Sequence, residues 1–365
     1  MSPDRRRLLF LSPIPPPTGG IGTWTRAVLG SSLRERFDMQ VVSTSPSDKI
    51  NVQGRSRLRF DRVVDAVRIL GTFGWQLMRA RPDALHVNTS YHWAFLRDAL
   101  AVWLASAFEV RTVLHFRGGD FPEFVASLRP MPRRLIEATL RRTDRLVALE
   151  AHTRRYLEAI VDPERVRCIP NFVRLEEFGT PPDRRDRPAP LRVLFVGWIL
   201  EAKGIRELLA AARELPDLHF TLVGPQEPEF AASMRPQIEA FGPRVRVLPP
   251  MPREGVVALY READIFVLPT HREGFPNVVL EAMAAGLPIV ATTVGAIPAA
   301  VGDEREGLLV PPRDAGALAA GLRRLAGDPA LRLRMGEAAR KRVESAFSFE
   351  AVLRQLATLY DELLA

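Results

Sequence analysis

What most constrains this 365-residue chain is a repeated alternation of short apolar runs with longer amphipathic segments, the pattern of β/α units on parallel sheets. In the first half, strands are expected at Leu8–Ser12, Met39–Ser43, Ala84–Val87, Arg111–Phe116, Arg145–Leu149 and Val166–Ile169, with helices such as Thr23–Arg36, Phe60–Arg79 and Trp93–Phe108 between them. In the Phe60 segment, Phe60, Val63, Val64, Val67 and Leu70 recur at helical spacing and form the expected buried stripe.

The stretch GTPPDRRDRPAP at Gly179–Pro190 breaks the pattern. It is dense in proline and charge and has no apolar residue larger than alanine. Proline opposes both helix and central strand, so a linker is expected there. Alternation then resumes, with strands at Arg192–Val196, His219–Val223, Val245–Leu248, Ile265–Leu268, Pro288–Ala291 and Gly307–Val310. Helices are expected at Ile205–Glu214, Glu229–Phe241, Arg253–Glu262, Val278–Ala285 and from Asp314 onward.

After Ser348, a candidate N-cap, the residues Phe349, Val352, Leu353, Leu356, Leu359, Tyr360 and Leu363 line one helix face. That stripe must bury against something beyond an already complete second domain. The architecture expected is α/β, two Rossmann-like doubly wound domains facing a cleft. The first spans residues 1–178, a linker residues 179–190, the second residues 191–346, and a helix at 347–365 packs back on the first domain.

The single cysteine, Cys168, excludes a disulfide framework and a cysteine-cluster metal site. The apolar run near the N-terminus and the stretches Ala99–Phe108 and Val278–Val290 are too short to span a bilayer, so a cytosolic protein is expected. Net charge is +8, and it is lopsided: residues 1–178 carry +9 and the remainder −1. A one-sided positive field draws anionic partners.

Three clusters carry candidate chemistry. PPPTGGIGTW at Pro15–Trp24 links a strand to a helix, and Gly19, Gly20 and Gly22 let backbone approach a ligand. The dinucleotide fingerprint fails there, because the third glycine is Thr25 and the second strand ends in Ser43–Thr44 rather than a carboxylate. FVGWILEAKGI at Phe195–Ile205 ends a strand at Gly197 and presents Lys203, one of only three lysines, as a phosphate point charge.

The third cluster, PTHREGFPNVVLEAMAAGLPIVATTVGAIP at Pro269–Pro298, is the most specific. Glu273 lies in the loop and Glu281 about one turn into the helix, while Gly274 and Pro276 shape a tight approach and Asn277–Val278 offer helix N-terminal amides. Two carboxylates beside an anion-binding helix end repel phosphate unless they address hydroxyls. The residues therefore argue for a ligand carrying both phosphate and polyol.

These words, in this order, resemble the retaining glycosyltransferases of family 4, which have the GT-B fold and include bacterial envelope polysaccharide and glycolipid enzymes. The resemblance rests on the glycine loop, LHFRGGDF at Leu114–Phe121, IPNFV at Ile169–Val173, FVGWILEAKG, EGFPNVVLE at Glu273–Glu281, AAGLPIVAT at Ala284–Thr292, GLLVPP at Gly307–Pro312 and the final helix. It implies an acceptor-binding first domain and a nucleotide-sugar-binding second domain.

The resemblance also implies residue roles. Lys203 would contact the donor diphosphate, Glu281 the nucleoside ribose, and Glu273 the hydroxyls of the transferred sugar, while Gly19 and Gly20 border diphosphate and sugar. His115 matches the family histidine near the donor sugar, so His115, Glu273 and Lys203 are the catalytic candidates. Gly197, Trp198, Gly274, Phe275, Asn277 and Val278 complete the donor-binding set.

Two positions depart from the family pattern. Trp198 stands where an arginine is usual beside the diphosphate, and Ala299 follows VGAIP where a carboxylate is common. No Asp-x-Asp motif is present, and His271-x-Glu273 lacks the cysteine pair of a zinc deaminase. A metal-independent reaction without cofactor is expected, on a UDP-, GDP- or ADP-sugar, with Lys203 and helix dipoles neutralising the leaving phosphate.

The acceptor side is expected on the basic half, where Arg133, Arg134, Arg141 and Arg142 surround Leu135, Ile136 and Leu140, and where Trp24, Trp75, Trp93 and Trp103 fall. That mixture suits peripheral contact with an anionic membrane and a glycan or lipid-linked acceptor. Nucleic acid is a poorer partner, since no recognition motif accompanies the charge. The rival readings are a nucleotide-sugar epimerase of related build and a non-catalytic nucleotide-sugar-binding scaffold.

Overall fold

The computed structural model describes residues 5–15, 20–45, 59–90, 93–119, 121–185, 187 and 190–365, with the side chains of residues 59–63 and 93 outside that description. The chain forms two compact units, Met1–Asn171 together with Leu353–Ala365, and Phe172–Val352.

In the first unit the strands are β1 (Arg6–Ser12), β2 (Phe37–Ser43), β3 (Ala84–Thr89), β4 (Arg111–Phe116), β5 (Arg145–Ala148) and β6 (Val166–Cys168). The helices are α1 (Gly20–Leu29), α2 (Leu33–Arg36), α3 (Arg59–Ala80), α4 (Trp93–Ala107), α5 (Phe121–Ala126), α6 (Pro130–Arg142) and α7 (Ala151–Glu158). The strands make one parallel sheet in the order β2-β1-β3-β4-β5-β6. Sequence order therefore reverses between β1 and β3, and doubly wound sheets hold ligands at the carboxyl ends of strands at such a switch point.

The second unit repeats the plan with β7 (Leu191–Val196), β8 (Leu218–Val223), β9 (Val245–Leu248), β10 (Ile265–Leu268), β11 (Ile289–Thr292) and β12 (Gly307–Val310). Its helices are α8 (Ile205–Glu214), α9 (Pro228–Glu239), α10 (Arg253–Glu262), α11 (Asn277–Ala284), α12 (Ile297–Ala300), α13 (Ala315–Gly327) and α14 (Pro329–Arg342). The sheet runs β12-β11-β10-β7-β8-β9, all parallel, which puts its switch point between β7 and β10. A last helix, α15 (Phe349–Leu364), closes the chain.

Every strand read from the apolar runs is present, within two residues at each end. Burial explains why the runs are legible: β3, β10 and β11 are inaccessible along their whole length, as strands covered on both faces must be. The C-terminal stripe is also buried from Phe349 to Leu363. Ser348 Oγ accepts from the Ala351 amide at 3.2 Å and caps α15.

Two local expectations fail. The single helix expected over Thr23–Arg36 splits into α1 and α2, because the Ser31 hydroxyl donates to the Val28 carbonyl at 2.7 Å and accepts from the Leu33 amide, competing with the helical ladder. Among the described side chains of α3, the stripe read from Phe60 to Leu70 is partly buried only at Leu70, which packs against the core. Val64 and Val67 are exposed, and Ile69, Phe73 and Leu77 face the core instead. The side chains of Phe60 and Val63 lie outside the described residues.

The residues after Asn171 pack within the second unit. Phe178 lies edge-on to Tyr260, and the Arg184 guanidinium donates to the carbonyls of Tyr260, Ala263 and Ala285. Arg184 thus ties this stretch of backbone to the rest of the second unit.

Candidate nucleotide-sugar site

The carboxyl ends of β7 and β10 bear the second and third sequence clusters. Beyond β7, a short 3₁₀ turn at Glu201–Lys203 ends at Gly204, whose φ is +71°. A Cβ at Gly204 would come within 2.0 Å of the Pro269 carbonyl oxygen, so only glycine lets this turn sit on the loop after β10. The His271 amide donates to the Ala202 carbonyl at 2.9 Å, and the His271 ring pairs with Glu207 at 3.0 Å. Across the same loop, a Cβ at Gly295 would clash with the Glu273 carbonyl, and the Ala296 amide donates to the Gly274 carbonyl.

These close approaches fix both backbones, and the side chains of Lys203 and Glu273 meet as a result. Lys203 Nζ donates to Glu273 Oε2 at 2.5 Å, with both groups largely buried. The pair is charge-assisted and tightly held.

Glu281 lies one turn into α11, which begins after Pro276 with no side-chain cap. Its Oε1 accepts from Arg253 Nη1 at 2.7 Å and its Oε2 from the Tyr260 hydroxyl at 3.0 Å. Arg253, at the start of α10, also binds Glu177 at 2.7 Å and so bridges two acids. Burial pushes the Glu281 carboxyl above its ordinary value, while Arg253 and the Tyr260 hydroxyl pull it back. A buried carboxylate clamped at both oxygens keeps its remaining lone pairs for hydroxyl donors.

The first unit holds a separate polar chain. Ser12, at the end of β1, meets Thr25 of α1 at 2.5 Å and Asn88 of β3 at 2.9 Å. Deeper, the Tyr360 hydroxyl lies 2.9 Å from His86 Nδ1, His86 Nε2 lies 3.3 Å from His115 Nδ1, and His115 Nε2 lies 3.1 Å from Arg117 Nη1. Arg117 also donates to Asn171 at 2.6 Å and stacks over Trp24.

A guanidinium can only donate, so its contact leaves His115 Nε2 an acceptor and puts the ring proton on Nδ1. That proton faces His86 Nε2, which puts the His86 proton on Nδ1, facing Tyr360. Tautomers assigned in this way follow from the hydrogen-bond network. Burial, then the Arg117 charge, pushes His86 down to about 3 and holds His115 well below its ordinary value, so both rings are neutral. Burial also lowers Arg117 to about 9.

Two family models match the chain in tandem: Glycosyltransferase Family 4 over residues 18–177 and Glycosyl transferases group 1 over residues 182–342. The chain belongs to the family 4 glycosyltransferases. The D-inositol 3-phosphate glycosyltransferase of Corynebacterium glutamicum is 34% identical over 223 residues, covering 56% of this chain and 53% of that one. Over that match the chain spans about half the length of its curated relative. The glycogen synthase of Mycobacterium tuberculosis is 26% identical over 97% of this chain and 94% of that one.

Among solved structures, sucrose-phosphate synthase from Thermosynechococcus elongatus superposes with a TM-score of 0.76, covering 98% of this chain and 99% of that one at 23% identity. HepE from Anabaena, solved with UDP, also gives 0.76, covering 98% and 100% at 17% identity. The fold is GT-B.

Within this family 4 chain, Lys203 and Glu273 form one ion pair, and Gly274 belongs to the same loop. The Val278 carbonyl accepts from Tyr260. Gly197 follows β7 with φ +155° and lies so close to Gly224 that a Cβ on Gly224 would strike the Gly197 carbonyl. Trp198, next in the chain, is half exposed. The Phe275 side chain turns inward onto Phe347, which leaves its backbone as the part that can face a ligand. Asn277 opens α11.

In the first unit, Gly20 begins α1, and Gly19 lies outside the described residues. His115 is fully buried. The motif reading passes over Arg253, Tyr260 and Arg117. Arg253 and Arg117 are two of many arginines, and only contact with Glu281 or His115 sets them apart. Among the described residues, no three His, Cys, Asp or Glu side chains cluster closely enough to hold a metal ion.

Proposed function

We propose that this protein is a retaining glycosyltransferase that moves a sugar, a hexose, from a nucleoside diphosphate sugar to an envelope glycan or lipid-linked acceptor. The observation that carries the reading is the Lys203–Glu273 pair, held where the chain order of a family 4 sheet reverses. It is supported by HepE, whose structure has been solved with UDP-glucose.

In this scheme Glu281 accepts the ribose hydroxyls while Arg253 keeps it ionised. Glu273 accepts sugar hydroxyls, and Lys203, released from Glu273 in part, faces the diphosphate. In the second unit, Gly197, Trp198, Gly274, Phe275, Asn277 and Val278 border the donor. The bond from the anomeric carbon to the β-phosphate oxygen breaks, and the acceptor oxygen bonds to the same face. The acceptor proton passes to the leaving phosphate, whose charge Lys203 and backbone amides stabilise. His115 serves as a neutral hydrogen-bonding group, since its lowered pKa removes it as an acid at neutral pH. The reaction needs no metal or cofactor, and the protein acts in the cytoplasm, peripherally on the inner face of the membrane.

The test is incubation with UDP-, GDP- and ADP-hexoses plus membrane extract, with NMR of the product's anomeric configuration. Net retention, insensitive to EDTA, is the expected result. Trp198, in place of the usual arginine, favours a second reading as a non-catalytic nucleotide-sugar-binding scaffold. Tight binding of one donor with no turnover on any acceptor extract would select that reading.

A further inference from the structure

Among the described residues, every large apolar side chain left exposed, except Trp198, lies between Val64 and Leu135. The concentration is geometric as well as sequential, because α4 packs against both α3 and α6 on one side of the first sheet. The outward stripe of α4 is Leu96, Leu100, Trp103 and Ala107, while Phe95, Ala99, Val102 and Ala105 face the core. Large apolar side chains thus occupy both the core-facing and the solvent-facing side of α4. On α3 the outward residues include Val67, Trp75 and Met78, and on α6 Met131 and Leu135. Met131 is 75% exposed and Trp75 54%, so these are whole side chains in water rather than edges of the core.

On α3, α4 and α6 the acids whose side chains are described are each paired with an arginine. Asp65 pairs with Arg68, Asp98 with Arg97, and Glu137 with Arg133 and Arg141. Arg79, Arg134 and Arg142 have no carboxylate within salt-bridge distance among the described residues. Arg79 lies over the Trp75 ring at 5.2 Å and Arg142 over the Trp103 ring at 4.9 Å. The Trp103 indole N–H donates to Thr139 of α6 at 3.0 Å, which holds that ring upright between two helices. Arginine on tryptophan, above a bed of leucine and methionine, matches a layer that is anionic at its surface and hydrocarbon a few ångströms below.

We propose that the α3–α4–α6 face is a docking surface for an anionic phospholipid bilayer, with Leu100, Trp103, Trp75 and Met131 entering the headgroup–acyl boundary and Arg79, Arg134 and Arg142 meeting lipid phosphates. Unpaired cations on α3 and α6 favour lipid over a second copy, which would bring like charges together. Two of the four tryptophans noted in the basic half serve this face. Trp24 is buried in the core, and the Trp93 side chain lies outside the described residues. The proposal deepens the peripheral attachment put forward above and rests on that reading for the acceptor's identity, but not for its physical basis.

The test is flotation of the full chain with vesicles of phosphatidylcholine alone and of phosphatidylcholine mixed with phosphatidylglycerol. Wild-type protein should float with the mixed vesicles at low salt and release as salt rises. Leu100→Glu with Met131→Glu should cut partitioning at least tenfold, and Arg134→Glu should remove most of the salt-sensitive part. Both positions are exposed, so the melting temperature should hold, and nucleoside diphosphate binding in solution should be unchanged. Absence of wild-type flotation, or undiminished flotation of the double glutamate variant, would overturn the proposal. So would a wild-type dimer that the same variant splits. Loss of nucleotide binding in all forms, with flotation intact, would instead strike the donor reading and leave the membrane face standing.

Discussion

Lys203 Nζ and Glu273 Oε2 are 2.5 Å apart although 70 positions separate them in the chain. In the proposed scheme, the cation assigned to the diphosphate is thus already neutralised by the acid assigned to the sugar. A donor that engages both exchanges one internal contact for two external ones, so neither residue is left as an isolated buried charge. Lys203→Ala should weaken nucleoside diphosphate binding by about 1.5–3 kcal/mol, the range for hydrogen bonds to charged groups. Calorimetric titration measures this, and unchanged affinity would remove Lys203 from the site.

Glu273→Ala should separate binding from chemistry. The variant frees Lys203 for phosphate, so affinity for the free nucleotide should hold or rise while transfer falls by orders of magnitude. Parallel turnover and binding assays check this. A variant that still turns over at the wild-type rate would take Glu273 out of the sugar site.

Arg253→Met should expose how Glu281 is kept ionised. Burial raises the Glu281 carboxyl and Arg253 opposes that rise, so the variant's carboxyl should move further up. In the proposed scheme Glu281 accepts the ribose hydroxyls in its ionised form, so the acidic limb of nucleotide affinity should shift to higher pH in the variant. A limb at the same pH in both proteins would mean that Arg253 does not hold Glu281 charged.

The histidine chain predicts a pH-dependent stability. His86 is held near 3 in the fold against an ordinary value of 6.5, and His115 is likewise lowered. Between those values the unfolded chain binds protons that the folded one does not, so stability is full above about pH 6.5 and falls as pH drops. Each histidine adds a slope of up to about 1.4 kcal/mol per pH unit in that window. Thermal melts from pH 7.5 downward should show it, with a shallower decline in His86→Gln. Equal slopes in wild type and variant would contradict the assignment.

The parallel strands were legible because fully covered strands read as continuous apolar runs, and because the Glu273–Glu281 block has a distinctive spacing. The chain order of each sheet was not, since pairing partners leave no mark on a single sequence. Val64 and Val67 misled for a related reason. Helical spacing shows that a stripe exists but not that protein covers it, and α3 carries a second apolar stripe that the fold leaves in water. Arg253 and Tyr260 stayed hidden because an arginine and a tyrosine on an amphipathic helix look structural until Glu281 is seen between them. Trp198 shows the converse. Its position was read directly from the motif, and reinstating the cation with Trp198→Arg should strengthen nucleoside diphosphate binding about tenfold.

In the proposed scheme the carboxyl ends of β7 and β10 hold a nucleoside diphosphate through Lys203. Titrating UDP, GDP and ADP separately into wild-type protein and into Lys203→Ala measures it most directly. At least one of the three should bind wild type saturably, and bind the variant tenfold or more weakly. Indifference of the wild-type protein to all three, or equal affinity in both proteins, would contradict the scheme.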